Sequence, residues 1–271
     1  MSGGRIVYER YHDPVGATDI ADSYSVSKSF TSAVIGLLTG DGALSVDDRA
    51  ARPEWSEAND PRHDITVADL LHMASGLEWS EGTVDYPPFF GAPSAAAYAA
   101  SKPLVAPPNT VFNYSTGTTA ILASLAAQAL GGPDALERFL RSRLLDPVGI
   151  SSTQLMKDPS GMWYGGLGAN STPRDFARFG LLFLRDGMWD GERILPEGWV
   201  DYSRTPSDAN PRYGAQWWIG PDNAYFEARG LGGQRIRVIP DVDAVVVITT
   251  QFDEPAADEL ATRVTELLLG A

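Results

Sequence analysis

The stretch "SYSVSKSFTSAVIGLLTGDG" (23–42) constrains this chain more than any other. Val26, Phe30, Ala33, Val34, Leu37 and Leu38 recur at helical spacing, and Gly40-Asp41-Gly42 ends the run with a C-terminal glycine signal. Lys28 stands near the start of that apolar helix, one of only three lysines in the chain with Lys102 and Lys157. A lysine is normally placed where water solvates it. Residues three apart on a helix share a face, so Ser25 and Lys28 present a hydroxyl and an amine side by side.

Two readings of that pair stand next to each other. A serine hydroxyl is a poor nucleophile until a base takes its proton. Lysine becomes such a base only when desolvation or a neighbouring cation lowers its pKa. The apolar positions around Lys28 make desolvation plausible, and the helix N-terminus favours negative charge developing on Ser25. The plainer reading is an N-cap serine followed by a solvated lysine. Scarcity of lysine, and the absence of any other Ser-x-x-Lys in the chain, favour the chemical one.

A second group comes from "FNYSTG" (112–117), where Tyr114, flanked by Ser115 and Thr116, opens another apolar helix. A phenol near an ammonium can shuttle a proton, although tyrosine is also an ordinary core or rim aromatic. In "EARGLGGQ" (227–234) a strand breaks into glycines. Such glycines let backbone approach a ligand and offer an N–H as oxyanion donor, or simply form a bulge or turn. Other chemistries lack their motifs. His12, His63 and His72 are not spaced as a metal site, and there is no cysteine. No Gly-x-Ser-x-Gly elbow, P-loop or Gly-x-Gly-x-x-Gly surrounds a candidate. No cofactor is expected.

The period of the chain changes along its length. "RIVYERY" (5–11) alternates like a half-buried strand, while helices are predicted over 66–77, 115–132, 133–150 and 170–187. Thr66 with Asp69 forms a capping-box pattern, and Thr172-Pro173 with Asp175 marks another helix start. Strands follow at 224–230, 234–240 and 243–251, with a turn at Asp241-Val242, and 254–270 reads as an amphipathic helix. Strands at both ends around a helical middle predict an α+β fold, an antiparallel sheet flanked by helices with a mostly helical region inserted. The expected division is 1–45 with 188–271 for the sheet region and 46–187 for the helical region, the active site lying at their junction.

At 271 residues and 44% hydrophobic composition the chain is long enough to bury a full core. Its formal charge of −14 is spread along the chain and disfavours nucleic acid or anionic membrane as partner. "MSGGRIVYERYHD" carries no apolar segment of the signal-peptide kind, and no apolar run spans a membrane, so a cytoplasmic protein is the expectation.

Taken in order, "SVSKSFTSAVIG", "ITVADLLHMASGLEW", "PPNTVFNYSTG", "NSTPRDFARFG", "YGAQWW" and "FEARGLGGQRIRVIP" resemble the serine β-lactamase-like superfamily. That group comprises class C β-lactamases, DD-peptidases, family VIII carboxylesterases and 6-aminohexanoate-dimer hydrolases. "YGAQWW" and "ARGLGGQ" are similar to the last of these. The resemblance implies that Ser25 is acylated, Lys28 is its general base and Tyr114 the second-motif tyrosine. It implies an oxyanion hole made by the N–H groups of Ser25 and Leu231.

Three departures shape the substrate expectation. The second motif reads Tyr-Ser-Thr rather than Tyr-x-Asn, which puts Thr116 at the asparagine position. Ala228-Arg229-Gly230 stands where lactamases have Lys-Thr-Gly, and Gly232 replaces a histidine or tyrosine. Losing both the lysine and the asparagine argues against efficient β-lactam hydrolysis. A fourth departure is the start at "GRIVYERY", where relatives have an earlier helix and strand. The sheet edge is then trimmed or the chain is a shortened form.

The expectation is therefore a serine hydrolase of small esters or amides working through an acyl-serine, like a carboxylesterase or a 6-aminohexanoate-oligomer hydrolase. The alternatives are a β-lactamase or DD-peptidase type of hydrolase, or an inactive binding homologue. Trp79, Phe112, Trp217 and Trp218 are candidate pocket walls, though tryptophan is more often core. Thr116, Gly230 and Gly232 are candidate substrate contacts by resemblance. Arg229 is a candidate for a substrate carboxylate, or a surface ion pair.

Overall fold

The computed structural model describes residues 1–270. Ten helices run in chain order among them: α1 (Ser27–Gly40), α2 (Val67–Leu71), α3 (Tyr86–Gly91), α4 (Ala95–Ala100), α5 (Thr116–Leu130), α6 (Pro133–Leu140), α7 (Asp146–Val148), α8 (Pro173–Leu184), α9 (Trp199–Ser203) and α10 (Glu254–Leu269). The strands are β1 (Gln154–Leu155), β2 (Ala169–Asn170), β3 (Met188–Trp189), β4 (Glu192–Arg193), β5 (Trp218–Ile219), β6 (Phe226–Gly230), β7 (Gln234–Ile239) and β8 (Ala244–Ile248). β5 to β8 form one antiparallel meander in chain order, and β1–β2 and β3–β4 are separate short pairs. The fold is α+β.

Local signals explain the helix ends. The Thr66 hydroxyl accepts from the Asp69 N–H while the Asp69 carboxylate accepts from the Thr66 N–H, the reciprocal cap predicted there. Ser115 caps α5, and Gly131 ends it in the left-handed region at φ 93°. Thr172 caps α8 with Pro173 in the first turn. The predicted helix over 133–150 is interrupted: a π-turn at Arg141–Leu145 separates α6 from the single turn α7.

The sheet is covered on both sides. All six residues of β7 are buried. Ile236 faces α8, where Gly180 leaves room: a Cβ on it would lie 2.7 Å from Ile236 and from Val245. On the other side, Ala257 and Ala261 of α10 pack with Val246 and Ile248. Thus α8, from the end of the stretch expected as helical insertion, lies on the sheet. An aromatic ladder ties α1 to that layer, with Phe30 stacked on Phe179 at 3.8 Å, Phe179 on Trp217, and Trp217 against Phe226.

One predicted element is absent. Residues 5–11 form no strand; Ser2 bridges Ala244 and Arg5, and beyond Arg5 the segment is unpaired. A strand needs a neighbouring ladder. Gly3 and Gly4, at φ 55° and 72°, turn the chain away from the β8 edge, and Val7 and Tyr8 stay 69% and 75% exposed.

Candidate active site

Ser25 lies in a short 3₁₀ turn, Tyr24–Val26, that leads directly into α1. Tyr24 holds φ 42°, a left-handed conformation that a bulky side chain adopts only under strain. Its ring packs edge-on against Phe252 at 5.6 Å. Ser25 is partly exposed, whereas Lys28, one turn on, is 1% exposed.

The three hydrogens of the Lys28 ammonium have three acceptors: Ser25 Oγ at 2.9 Å, Thr116 Oγ1 at 2.8 Å and the Gly166 carbonyl at 3.0 Å. Its Nζ also lies 4.8 Å from the centre of the Tyr114 ring. The nearest carboxylate oxygen, Glu81 Oε1, stands 3.9 Å away. Burial lowers the Lys28 pKa to about 8, against the opposing pull of Glu81. Burial likewise pushes the Tyr114 phenol well above its ordinary value, although its contact with Ser25 works the other way. Of the two groups, burial brings the amine toward its neutral form and keeps the phenol protonated.

Four donors fix Glu81. Oε1 accepts from Thr116 Oγ1 at 2.5 Å and from the Tyr86 hydroxyl at 2.8 Å. Oε2 accepts from Trp79 Nε1 at 2.5 Å and from the Thr116 N–H at 2.8 Å. Burial alone would raise the Glu81 pKa, but Lys28 and the bonds from Thr116 and Tyr86 outweigh it and hold it below the usual carboxylate range. Sequence reasoning missed Glu81. It sits in a loop with no periodicity, and only the neighbouring Glu78, which is exposed, distinguishes it in retrospect.

The other expected residues divide sharply. Trp218 is half-buried and packs on Tyr114 at 5.5 Å and on Phe112 at 6.1 Å, so this aromatic group adjoins Ser25 and Lys28. Trp217 is 0% exposed within the ladder and is core, not wall. Its neighbour Gln216, at φ 66°, turns the chain just before the pair, and the extended backbone at the start of β5 points the adjacent tryptophans opposite ways. The Gln216 amide donates to the Leu70 and Leu71 carbonyls and accepts from Thr119, locking that turn. Trp79 is buried against Phe89 and holds Glu81 instead of lining a pocket. Thr116 is fully buried between Lys28 and Glu81, out of a substrate's reach.

Arg229 is committed elsewhere. It projects to the α10 side of β6 and pairs with Asp258 at 3.1 Å, the ion pair of its two readings and not the carboxylate grip. Ala228 is 1% exposed. Gly230 touches the turn that carries Ser25: a Cβ there would lie 2.5 Å from the Ser23 carbonyl oxygen. That close approach sets Leu231, 55% exposed, next to the same turn. Gly232, at φ 75°, faces Phe252, 3.2 Å from where its Cβ would be.

A serine at a helix start, just after the strained Tyr24, with a buried lysine behind it and a sheet edge alongside, places the molecule among β-lactamase-fold hydrolases. The family model Beta-lactamase matches residues 1–270, and the chain belongs to that family. It is similar to 6-aminohexanoate-dimer hydrolase of Paenarthrobacter ureafaciens, 22% identical over 285 residues, which cover 94% of this chain and 72% of that protein. Among solved structures, a Bacillus anthracis protein provisionally named as a 6-aminohexanoate-dimer hydrolase superposes with a TM-score of 0.82 at 22% identity, covering 100% of this chain and 78% of that one. The octameric penicillin-binding protein homologue of Pyrococcus abyssi does so with 0.73 at 20% identity, covering 95% and 67%. At such identities the structural likeness concerns the fold. No helix among the described residues is long and apolar enough to cross a membrane.

Proposed function

We propose that this protein cleaves small esters or amides through an acyl-serine, as a carboxylesterase or a 6-aminohexanoate-oligomer hydrolase would. The observation that carries the reading is the 2.9 Å contact between Ser25 Oγ and a lysine that burial has made weakly basic. Neutral Lys28 takes the Ser25 proton as Oγ attacks the carbonyl. The oxyanion forms against the N–H groups of Ser25 and Leu231, which the contact between Gly230 and Ser23 supports. Tyr114, protonated, donates toward the reacting oxygen, and the Lys28 ammonium returns a proton to the leaving group. Water then repeats the attack and frees Ser25.

Phe112, Trp218 and Leu231 offer apolar surface to the acyl group. A β-lactam carboxylate would find neither a lysine at Ala228 nor a free Arg229, so esters and amides without that group fit better. The test is intact-protein mass spectrometry after incubation with a fluorophosphonate. One adduct is expected on the wild type and none on Ser25→Ala. An unlabelled, folded wild type would overturn the reading in favour of a binding homologue.

A further inference from the structure

We infer that Glu81, acting through the Thr116 hydroxyl, aims the lone pair of neutral Lys28 at Ser25, an inference that rests on the serine-hydrolase reading above. A neutral amine has two hydrogens and one lone pair, and only the lone pair takes up a proton. Three oxygens surround Nζ: Ser25 Oγ at 2.9 Å, Thr116 Oγ1 at 2.8 Å and the Gly166 carbonyl at 3.0 Å. A lone pair turned toward Thr116 or Gly166 leaves Ser25 without a base. Its direction is decided by which of the three has a proton to give.

The Gly166 carbonyl has none, and the face of the Tyr114 ring, 4.8 Å from Nζ, offers none. Thr116 has one, but Glu81 holds it: Oγ1 lies 2.5 Å from Oε1, a charge-assisted bond to a carboxylate whose pKa is below the usual range. The Tyr86 hydroxyl, 3.3 Å from the same Oγ1, gives its own proton to Oε1 as well. Thr116 therefore meets Lys28 as an acceptor, just as Gly166 does. Those two oxygens take both hydrogens of the neutral amine, and the lone pair is left to Ser25, whose hydroxyl is free to turn. As Oγ attacks, the Ser25 proton passes to Nζ, while Thr116 and Gly166 keep the hydrogens they already accept. Glu81 stays ionised throughout.

Glutamine at position 81 reverses this arrangement. Oε2 accepts from two fixed donors, Trp79 Nε1 at 2.5 Å and the Thr116 N–H at 2.8 Å, so a side-chain amide sets its oxygen there. Its NH2 group then faces Thr116 Oγ1 and Tyr86, and the displaced threonine proton turns to the Lys28 lone pair. Glu81 and Thr116 are thus positioning residues. They govern how fast the neutral amine reacts, not how much of it is present. The charge of Glu81 by itself has the opposite effect: it raises the Lys28 pKa, so its loss leaves more neutral amine below about pH 8 and speeds labelling there.

The measurement is the second-order rate of fluorophosphonate labelling at Ser25 from about pH 6 to about pH 10, fitted for its limiting value at high pH, where Lys28 is neutral. Glu81→Gln is expected to lower that limit about tenfold, the effect of one hydrogen bond that must break first, and Thr116→Ser to match the wild type. Thr116→Val has no hydroxyl to misdirect, so adding Glu81→Gln to it should change the limit by less than about twofold. A Glu81→Gln limit equal to that of the wild type, or the same tenfold loss with valine at 116, would overturn the aiming role. Circular dichroism checks folding. If Thr116→Val fails to fold, Thr116→Ala takes its place, and if both fail, the Glu81→Gln limit decides. An unlabelled wild type, or labelling that persists in Ser25→Ala, would sink the hydrolase reading instead, which keeps the two failures apart.

Discussion

Two places in this molecule bury cations, and they do so in opposite ways. Beneath α10, Arg237 and Glu227 are 4% and 2% exposed and meet at 2.8 Å, with further bonds from Arg237 to the Ala261 carbonyl and Thr265. Arg235, wholly buried, pairs with Asp258 at 2.7 Å and Glu254 at 3.2 Å. At the head of α1, Lys28 is equally buried but touches only neutral oxygens, its carboxylate held off at 3.9 Å. Arginine suits fixed, forked pairing, and these arginines join a helix to a sheet. Lysine shifts its pKa when desolvated, and here it shifts next to a serine. Burial is common to both; what differs is whether the counter-charge is in direct contact.

That contrast can be broken from either end. The largest effect is expected of Lys28→Met, which should cut Ser25 labelling by about 10³-fold while the protein stays folded. The same variant tests burial of the charge. The folded-state pKa of Lys28 is about 8 and its ordinary value 10.5. Between those values the unfolded chain binds the extra proton, so this group makes stability rise with pH across that window. The slope of thermal stability against pH from about 8 to 10.5 should be smaller in Lys28→Met than in the wild type.

At the other end, Arg237→Met leaves buried Glu227 with only Arg229, 3.7 Å away, in place of its hydrogen-bonded partner. It should cost about 3–5 kcal/mol in a urea melt yet leave the labelling rate of the folded protein unchanged. Loss of labelling without loss of stability would show that the arginine cluster reaches the site. The smallest effect belongs to Arg229→Ala. This side chain is about a third exposed, so a stability change within about 1 kcal/mol and unaltered turnover of carboxylate-bearing esters are expected. A selective loss on those esters would return Arg229 to the site.

Much of the fold was legible from short-range signals. The capping box at Thr66 and Asp69, the cap at Thr172 and the three meander strands are read from neighbouring residues, and each appears where it was predicted. Failures came where the decisive partner is remote in sequence. "RIVYERY" alternates as a strand does, but alternation does not supply a ladder, and among the described residues no strand pairs with it. Trp217 and Trp218 are adjacent and chemically identical; alternation along β5 puts them on opposite faces, and only packing decides that Trp217 meets the core and Trp218 Tyr114. Arg229 was readable as strand residue but not as a partner of Asp258, 29 positions away.

The sequence by itself determined the components. It placed a serine and a lysine one turn apart at a helix start, a tyrosine before a second helix, and glycines after a strand, because each is a matter of spacing along one element. Tertiary structure decided the chemistry. Only packing brings the Gly166 carbonyl and Thr116 onto Lys28, removes water from the amine, and sets Glu81 one hydroxyl away. A pKa depends on the solvent and charges that surround a group, and those are contributed by segments that no local pattern connects.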